Sequence, residues 1–420
     1  MSRDYLNYPF SSKRNTVFAR NGIVATSQPL AAQAGLRIMQ KGGNAIDAAI
    51  ATAAALTVVE PTSNGIGGDA FSIIWKDGKI YGLNGSGPSP ESISREELVN
   101  DGHEEMEKYG WLPVTVPGIP ASWAKVSERF GKLPFKELFE PAIEYAEEGY
   151  PLTPTLGRYW QRSYNIYKEN LNDEQFENWF NTFAPKGRAP KIGEIWKSKD
   201  HARTLKEIAK TNAKSFYNGD IADEIDSFSK KYGGYLRKED LASFEPEWVD
   251  PIKVDYKGYE VWEIPPNGQG LAALMALGII DDFDFNEREN VDMYHKQIEA
   301  LKLAMIDGKA FITDIDHMSY KVDELLSDSY LKQRRSLINE KAITPKAGKP
   351  PRGGTVYLAT ADNEGNMVSF IQSNYMGFGS GLVVPNRGIA LQNRGHLFSL
   401  DPKDDNVLKK KKKPYHTIIP

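Results

Sequence analysis

The chain has 420 residues, of which 40% are hydrophobic and 26% are charged, and its formal net charge is −4. This length and apolar content predict a globular protein with a large core. The small net charge gives no indication of nucleic-acid binding. Because the chain contains no cysteine, disulfides, thiolate metal sites and a cysteine nucleophile are excluded. Hydroxyls, carboxylates and histidines are left to carry any chemistry.

No apolar run of signal-peptide length occurs at the N-terminus. The longest apolar stretch, at 45–59, is interrupted by Asp47 and by threonines. It is also too short and too rich in alanine to span a membrane. We therefore expect a cytoplasmic protein without membrane contact, or a secreted one if a signal sequence has been removed.

The first elements predicted along the chain are two helices and a hairpin. Proline and glycine punctuation favours a helix at 29–41. Asn44 is then a suitable N-cap for a helix at 45–58, which is apolar nearly all round and is therefore expected to be buried. Alternating residues at 70–75 and a second run at 79–83 predict a β-hairpin.

The glycines that precede this hairpin, in the run from Asn64 to Asp69, could be mistaken for a phosphate-binding loop. Their spacing matches neither nucleotide fingerprint, and a strand follows them instead of a helix. Close backbone packing at the entry to the strand is the favoured interpretation.

The middle of the chain, 117–341, is predicted to be mostly helical, with helices at 119–130, 135–148 and 294–312. A loop at 265–270 leads into another apolar helix. Three tryptophans in this part are expected to lie in the core: Trp160, Trp179 and Trp196.

A linker rich in proline, glycine and lysine occupies 342–354, and two strands follow it at 355–362 and 367–373. A four-residue loop at 363–366 is expected to join them. An exposed linker that leads directly into a strand is what a processing site requires. The lysine run at 409–413 is expected to be a solvated loop.

Thr355, the first residue of this strand, could act as an N-terminal nucleophile. If the chain is cut between Gly354 and Thr355, the new α-amino group has a pKa of about 8 and is partly uncharged near neutrality. That amine can take the proton of the neighbouring hydroxyl and so activate its oxygen. Gly354 adds no side chain at the scissile bond.

The second strand is expected to bring supporting groups beside Thr355. A four-residue loop pairs Asp362 with Met367, and hence Thr355 with Asn374. A slip of one residue places Ser373 opposite Thr355 instead. Both Ser373 and Asn374 are therefore candidates to orient the nucleophile.

The sequence resembles the γ-glutamyltransferase family over almost its whole length. The resemblance rests on many short motifs in a fixed order, at 42–50, 60–68, 116–118, 265–270, 299–304, 354–362, 372–381, 391–395 and 413–420. It implies an α+β protein with the four-layer αββα fold of the N-terminal-nucleophile hydrolases, in its acylase-like subgroup.

By the same resemblance, the precursor cuts itself into a large subunit (1–354) and a small subunit that begins at Thr355 (355–420 here). Thr355 matches the family nucleophile, and Ser373 matches a supporting hydroxyl. No cofactor or metal is implied, and the substrate is a small amide or γ-glutamyl compound. Assembly into a homo-oligomer is left open.

The substrate-binding positions depart from the family pattern. Members that act on γ-glutamyl groups hold the α-carboxylate with an arginine, and Asn84 stands at the corresponding position here. The aspartate that holds the α-amino group falls at His396 or Leu397, and a serine pair falls at His416 and Thr417. The resemblance places substrate contacts at these positions and at Tyr375. Because charge-assisted bonds are stronger than neutral ones, we expect a different acyl donor.

Family members also continue beyond the motif that ends at Pro420, with a pair of glycines whose N–H groups form the oxyanion hole. No equivalent follows Thr355 in this sequence, so we expect that the C-terminal part is missing and that these 420 residues alone turn over amides poorly. The leading hypothesis is an amide hydrolase or acyltransferase that acts through a Thr355 acyl-enzyme. The alternatives are a true γ-glutamyltransferase and glutathione hydrolase, or a catalytically silent relative with a binding or structural role.

Overall fold

The computed structural model describes residues 16–285, 289–344 and 354–420. Most of the predicted linker at 342–354 lies outside these residues. The described strands, in chain order, are β1 (Gly22–Thr26), β2 (Asp69–Lys76), β3 (Lys79–Gly85), β4 (Tyr150–Pro151), β5 (Ile195–Trp196), β6 (Glu247–Val249), β7 (Ile252–Tyr256), β8 (Tyr259–Glu263), β9 (Gly354–Asp362) and β10 (Met367–Tyr375).

The described helices are α1 (Pro29–Gln40), α2 (Ala45–Val59), α3 (Arg95–Asn100), α4 (Ile119–Phe130), α5 (Glu140–Glu148), α6 (Pro154–Asn170), α7 (Glu177–Phe183), α8 (Lys199–Thr211), α9 (Lys214–Asn218), α10 (Asp220–Lys231), α11 (Lys238–Ala242), α12 (Gly270–Ile280), α13 (Val291–Phe311), α14 (Val322–Leu325) and α15 (Asp328–Arg335). Short 3-10 turns occur at Phe135–Phe139, Glu174–Phe176, Ile315–His317 and Arg394–Leu397. The predicted helices are present, although the expected helix at 135–148 begins as a 3-10 turn. None of the helices in the described part of the chain is both long and apolar enough to cross a membrane.

A six-stranded sheet with the order β1-β9-β10-β2-β3-β6 organises the molecule. All its neighbouring strands are antiparallel. The hairpin that begins with Thr355 therefore lies in the middle of the sheet, between the first strand and the early hairpin β2–β3. The short strand β6 and the hairpin β7–β8 were not predicted from the sequence, because the surrounding residues are mostly helical.

Helix α2 covers one face of this sheet and is buried along its entire length. Asn44 is its N-cap, as predicted, and it also forms a capping box: the Asn44 side chain accepts from the Asp47 backbone, and the Asp47 carboxylate accepts from the Asn44 backbone. Thr360 in β9 donates from its hydroxyl to the carbonyl of Ala45 at 2.7 Å. This bond fixes α2 on the central hairpin.

The register of the central hairpin is the slipped alternative, and not the one with a four-residue loop. Met367 pairs with Ala361 and not with Asp362, so the loop has five residues. The reason is the Asp362 carboxylate, whose Oδ1 accepts from the backbone N–H groups of Glu364 and Asn366, each at 3.0 Å. The register then shifts between Gln372 and Tyr375, and Tyr375 pairs with Gly354. Ser373 and Asn374 thus lie together in a bulge opposite Thr355.

The second face of the sheet, away from α2, is apolar but partly exposed along one edge. One row across it contains Ile23, Met367 and Trp75, which are 39%, 50% and 42% exposed. At the other end the face is covered, because Ile264 and Ile418 pack against Phe71 and Ile371. Ser373 and Asp69 lie buried at this end, and Thr355 lies next to them with its side chain exposed.

The remaining core predictions agree with the structure in all but one respect. Trp160, Trp179 and Trp196 are buried, as expected. The lysine run at 409–413 is not a fully solvated loop. Lys412 is completely buried, and its ammonium group donates to the carbonyls of Asp405 and Val407. The predicted solvation was wrong there because these carbonyls replace the water around the charge.

Candidate active site

The predicted nucleophile lies at the start of β9, and its hydroxyl contacts the predicted supporting hydroxyl. Thr355 Oγ1 donates a hydrogen bond to Ser373 Oγ over 3.3 Å. The backbone N–H of Tyr375 donates to the same Ser373 oxygen at 2.8 Å. Ser373 is buried, whereas Thr355 is exposed. The structure therefore brings together the two hydroxyls singled out in the sequence and leaves that of Thr355 accessible.

A buried carboxylate continues this row across the sheet. Asp69, the first residue of β2, pairs with Ser373, so their side chains face the same side. Asp69 Oδ1 accepts from Gln392 Nε2 at 2.9 Å and from the Gly87 backbone N–H at 3.1 Å. Asp69 Oδ2 lies 3.1 Å from His416 Nε2. Every one of these contacts joins segments far apart in the chain.

Burial shifts the pKa values of both Asp69 and His416. Burial raises the pKa of the Asp69 carboxyl to about 7, although the Arg394 cation acts in the opposite direction. Burial also lowers the pKa of His416 well below its usual value, and the Arg394 cation adds to that effect. His416 is therefore neutral, and its contact with Asp69 is a hydrogen bond and not an ion pair.

Arg394 is the cation of the site, and it is completely enclosed. Its Nη1 donates to Thr417 Oγ1 at 2.8 Å. The centre of its guanidinium lies 4.6 Å from the centroid of the Tyr375 ring. Neither Nε nor Nη2 has a hydrogen-bond partner among the residues that the structure describes. Burial lowers the pKa of Arg394 to about 10, so the side chain remains charged near neutral pH.

Asn84, at the position of the family's carboxylate-binding arginine, is occupied by other protein groups. Its Nδ2 donates to Asn267 Oδ1 at 2.9 Å, and its Oδ1 accepts from the backbone and hydroxyl of Ser86 at 3.0 and 2.7 Å. Asn267 Nδ2 donates in turn to the carbonyl of Pro414. Asn84 thus belongs to a buried network that fixes the 414–417 segment, and the network uses both ends of its amide.

Two other predicted substrate contacts, Tyr375 and Thr417, lie against Arg394, and His396 lies beside Tyr375. Tyr375 is buried and has a φ of +77°, and its hydroxyl has no hydrogen-bond partner in the described residues. His396 Nδ1 is 2.6 Å from the carbonyl of Met106, and its ring faces that of Tyr375 at 6.4 Å. Thr417 accepts from Arg394. The structure therefore brings Tyr375 and Thr417 together at one cation, with His396 next to Tyr375.

Asn374, the other candidate orienting residue, is fully buried next to a glycine-rich turn. Added methyl groups at Gly65 and Gly68 would lie 2.8 and 2.6 Å from its amide atoms. The two amide atoms have no hydrogen-bond partner within the described ranges. These glycines therefore provide the close packing expected for the run at 64–69, and their neighbour is Asn374. An orienting role for Asn374 stays a prediction.

Sequence reasoning did not single out Asp69 or Arg394. Asp69 begins an apolar, buried strand, and a carboxylate in such a position needs a partner. That signal was available in the sequence, but its partner His416 is 347 positions away. Arg394 lies inside the 391–395 motif, yet none of its neighbours in the sequence indicates that two of its guanidinium nitrogens are unpaired.

The match to known proteins covers nearly the whole chain. The sequence profile of the family described as Gamma-glutamyltranspeptidase matches residues 31–420. A glutathione hydrolase-like proenzyme of Bacillus subtilis strain 168, YwrD, is 36% identical over 96% of this chain and 76% of its own length. The oxamate amidohydrolase proenzyme of Klebsiella pneumoniae is 32% identical over 95% of this chain and 76% of its own.

Among solved structures, a cephalosporin acylase from Bacillus halodurans is 59% identical, with a TM-score of 0.94. The match covers 100% of this chain and 78% of the acylase. The fold is therefore that of an α+β protein of the N-terminal-nucleophile hydrolase class, as the sequence predicted. The chain belongs to the γ-glutamyltranspeptidase family. It is a γ-glutamyltransferase-like amide hydrolase or acyltransferase, and its relatives are proenzymes.

Proposed function

We propose that Thr355 cuts the chain before itself and then serves as the nucleophile of an amide hydrolase or acyltransferase. The observation that carries this proposal is the exposed Thr355 hydroxyl at the start of β9, bonded to the buried hydroxyl of Ser373. The position of the hydroxyl next to the Gly354–Thr355 bond serves both steps.

In the first step, Thr355 Oγ attacks the carbonyl carbon of Gly354. The hydroxyl proton passes to the departing Thr355 nitrogen, and the peptide bond becomes an ester. Water then hydrolyses the ester and leaves a Gly354 carboxylate and a free Thr355 α-amine. That amine accepts the hydroxyl proton when Thr355 attacks a substrate amide, and it returns the proton to the leaving amine. Water or an acceptor amine finally releases the acyl group from the threonine ester.

The acyl donor in this proposal carries a carboxylate but no α-ammonium group. Asn84 offers no charge, and the positions of the family's acidic residue hold His396 and Leu397. The name of one relative agrees with such a donor. Oxamate, the substrate named for the Klebsiella amidohydrolase, bears a carboxylate next to its amide and no amine.

The second candidate is a true γ-glutamyltransferase and glutathione hydrolase. It is favoured by relatives of that name, such as the glutathione hydrolase proenzyme of Bacillus subtilis, 29% identical over 96% of the chain. Full-length protein given a γ-glutamyl anilide and the matching glutaryl anilide separates the candidates. We expect higher kcat/KM for the glutaryl compound, since no carboxylate is present at 396 or 397 to bind the ammonium. Saturable turnover that favours the γ-glutamyl compound would support the second candidate.

Self-cleavage tests the role of Thr355 independently of the donor. Full-length wild-type protein is expected to give two polypeptides, the smaller of which begins at Thr355. Thr355→Ala should remain one chain and lack amidase activity. Thr355→Ser is the matched control, because it retains a hydroxyl and should still be cut, although more slowly. Normal cleavage of the alanine variant would overturn the proposal.

A further inference from the structure

One edge of the buried Arg394 guanidinium has no hydrogen-bond partner in the described chain. A buried charged group normally finds partners for its hydrogen-bond donors, since an unpaired donor loses its water without replacement. Arg394 has Nη1 bonded to Thr417, whereas Nε and Nη2 are unpaired among the described residues. No carboxylate in the described part of the chain lies within ion-pair distance of this guanidinium.

The two unpaired nitrogens have a specific geometry. Nε and Nη2 form one edge of the planar guanidinium, with two parallel N–H groups. This edge matches the two oxygens of a carboxylate, and such bidentate pairs are stronger and more directional than a single bond. Thr417 at Nη1 and the Tyr375 ring against the guanidinium plane hold the group in place. The edge is therefore fixed before any ligand arrives.

The nucleophile is reached from Arg394 by a short series of contacts. The Tyr375 ring contacts the guanidinium, the Tyr375 backbone N–H donates to Ser373 Oγ, and Ser373 Oγ accepts from Thr355. Tyr375 also pairs with Gly354, on the other side of the bond that is cut. Tyr375 therefore lies between the Arg394 guanidinium and the Gly354–Thr355 bond.

We propose that Nε and Nη2 of Arg394 bind the carboxylate of the acyl donor and so place its amide at Thr355. This inference rests on the proposed function, and it assigns to Arg394 the selection of donors with an anionic acyl group. The competing explanation is that Arg394 only balances the charge of Asp69 inside the protein. In that case its substitution changes stability and not the choice of donor.

The decisive measurement is the ratio of kcat/KM for a glutaryl anilide to that for its carboxamide isostere, in processed full-length protein. In wild type, kcat/KM for the glutaryl anilide should exceed that for the carboxamide by about 10- to 100-fold. This range corresponds to the free energy of a charge-assisted pair of hydrogen bonds. Arg394→Gln should lower the ratio to near unity, and Arg394→Lys should restore part of it. Arg387→Gln is the matched control, because Arg387 is a second buried arginine whose fork is fully paired within the protein. Its ratio should stay at the wild-type value.

Binding of glutarate, measured by calorimetry on the same proteins, separates this inference from the proposed function. Wild type and Arg387→Gln should bind glutarate and should not bind neutral glutaramide. Arg394→Gln should lose at least about tenfold in glutarate affinity. If Arg394→Gln binds glutarate as wild type does and keeps the donor ratio, the inference is wrong even where Thr355 proves to be the nucleophile. Arg394-dependent binding in a protein without Thr355 chemistry would instead retain the anion site and reject the proposed function.

Discussion

Two buried arginines seven positions apart, Arg387 and Arg394, have opposite surroundings. Arg387 Nε and Nη2 donate to the two carboxylate oxygens of Glu224 at 2.6 and 2.7 Å, and its Nη1 donates to Glu207 at 2.5 Å. Arg394 has a single protein acceptor, Thr417, and its other edge is unpaired within the described chain. Arg387 fastens the segment after β10 to α8 and α10, while Arg394 faces the row of groups that leads to Thr355.

This difference separates buried polar groups that are paired inside the protein from buried polar groups that are not. Around Arg387 every donor is satisfied inside the protein. Around Thr355 several buried polar atoms have no partner in the described residues: both amide atoms of Asn374, the Tyr375 hydroxyl, Nε and Nη2 of Arg394, and Nδ1 of His416. Unsatisfied buried groups lower stability. A polar substrate bound at this end of the sheet would complete the hydrogen bonds of these atoms.

After Thr355, the largest loss of activity is expected at Ser373, which contacts both the Thr355 hydroxyl and the Tyr375 backbone N–H. Ser373→Ala removes the acceptor of the Thr355 hydroxyl and of the Tyr375 N–H. We expect self-cleavage and kcat to fall by about 10- to 100-fold, the loss of one or two oriented hydrogen bonds. Ser373→Thr keeps the hydroxyl and should recover most of the rate. An alanine variant that cuts itself at the wild-type rate would show that Ser373 does not support Thr355.

The same substitution at the two arginines should change stability in different ways. Arg387→Met leaves Glu207 and Glu224 without their partner and should lower the free energy of unfolding by about 1–3 kcal/mol. Arg394→Met removes unpaired donors and should change it by less than about 1 kcal/mol. Urea unfolding of both variants measures the difference. A larger loss for Arg394→Met than for Arg387→Met would indicate that Arg394 stabilises the fold.

We expect substitution of Asn374, like that of Arg394, to change activity more than stability. Asn374→Ala removes an amide whose two polar atoms are unpaired in the described chain. We expect kcat/KM to fall by about tenfold, and the free energy of unfolding to change by less than about 1 kcal/mol. Steady-state kinetics and urea unfolding on one preparation measure kcat/KM and the free energy of unfolding. A variant with normal kinetics and a marked loss of stability would make Asn374 a packing residue for the 64–68 turn.

The smallest effect concerns the pH dependence of stability at Asp69. Its folded pKa, about 7, is above the ordinary 3.8, because burial disfavours the charged form. The folded state therefore binds more protons than the unfolded state between these values. The contribution of this group to stability is fully present below about pH 4 and is lost as the pH rises through about 7.

Asp69→Asn removes this titration. The free energy of unfolding of wild type should decrease relative to that of the variant as the pH is raised from about 4 to about 7. Urea unfolding at several pH values measures the difference between the two proteins. A difference that changes in the opposite direction would mean that the surrounding donors and Arg394 outweigh burial.

Local patterns predicted much of the fold. The apolar residues of α2, the Asn44 N-cap and the β2–β3 hairpin follow from residues close together in sequence. The juxtaposition of Thr355 and Ser373 also follows from one hairpin. The sequence left two registers open, and the Asp362 side chain selects the slipped one through bonds to the backbone that strand propensity does not report.

The unpredicted part of the site depends on contacts between distant segments. Asp69 and His416 meet only when the C-terminal segment crosses the sheet at Phe71. Asn84 matched a substrate-binding position in the motif alignment, but its amide is bound by Asn267 and Ser86. The free edge of Arg394 is a property of its complete surroundings. No spacing in the sequence shows which donors of an arginine are left unpaired.

Intact-protein mass spectrometry tests whether Thr355 forms the acyl-enzyme. The full-length protein is quenched in acid during turnover of a glutaryl anilide, and the masses of its fragments are measured. We expect a fragment that begins at Thr355 and carries one added glutaryl group, with fragmentation locating the group on Thr355. The fragment ending at Gly354 should be unmodified, and the Thr355→Ala protein should show one unmodified chain. An acyl group on any other residue, or turnover by a chain that is never cut before Thr355, would contradict the account.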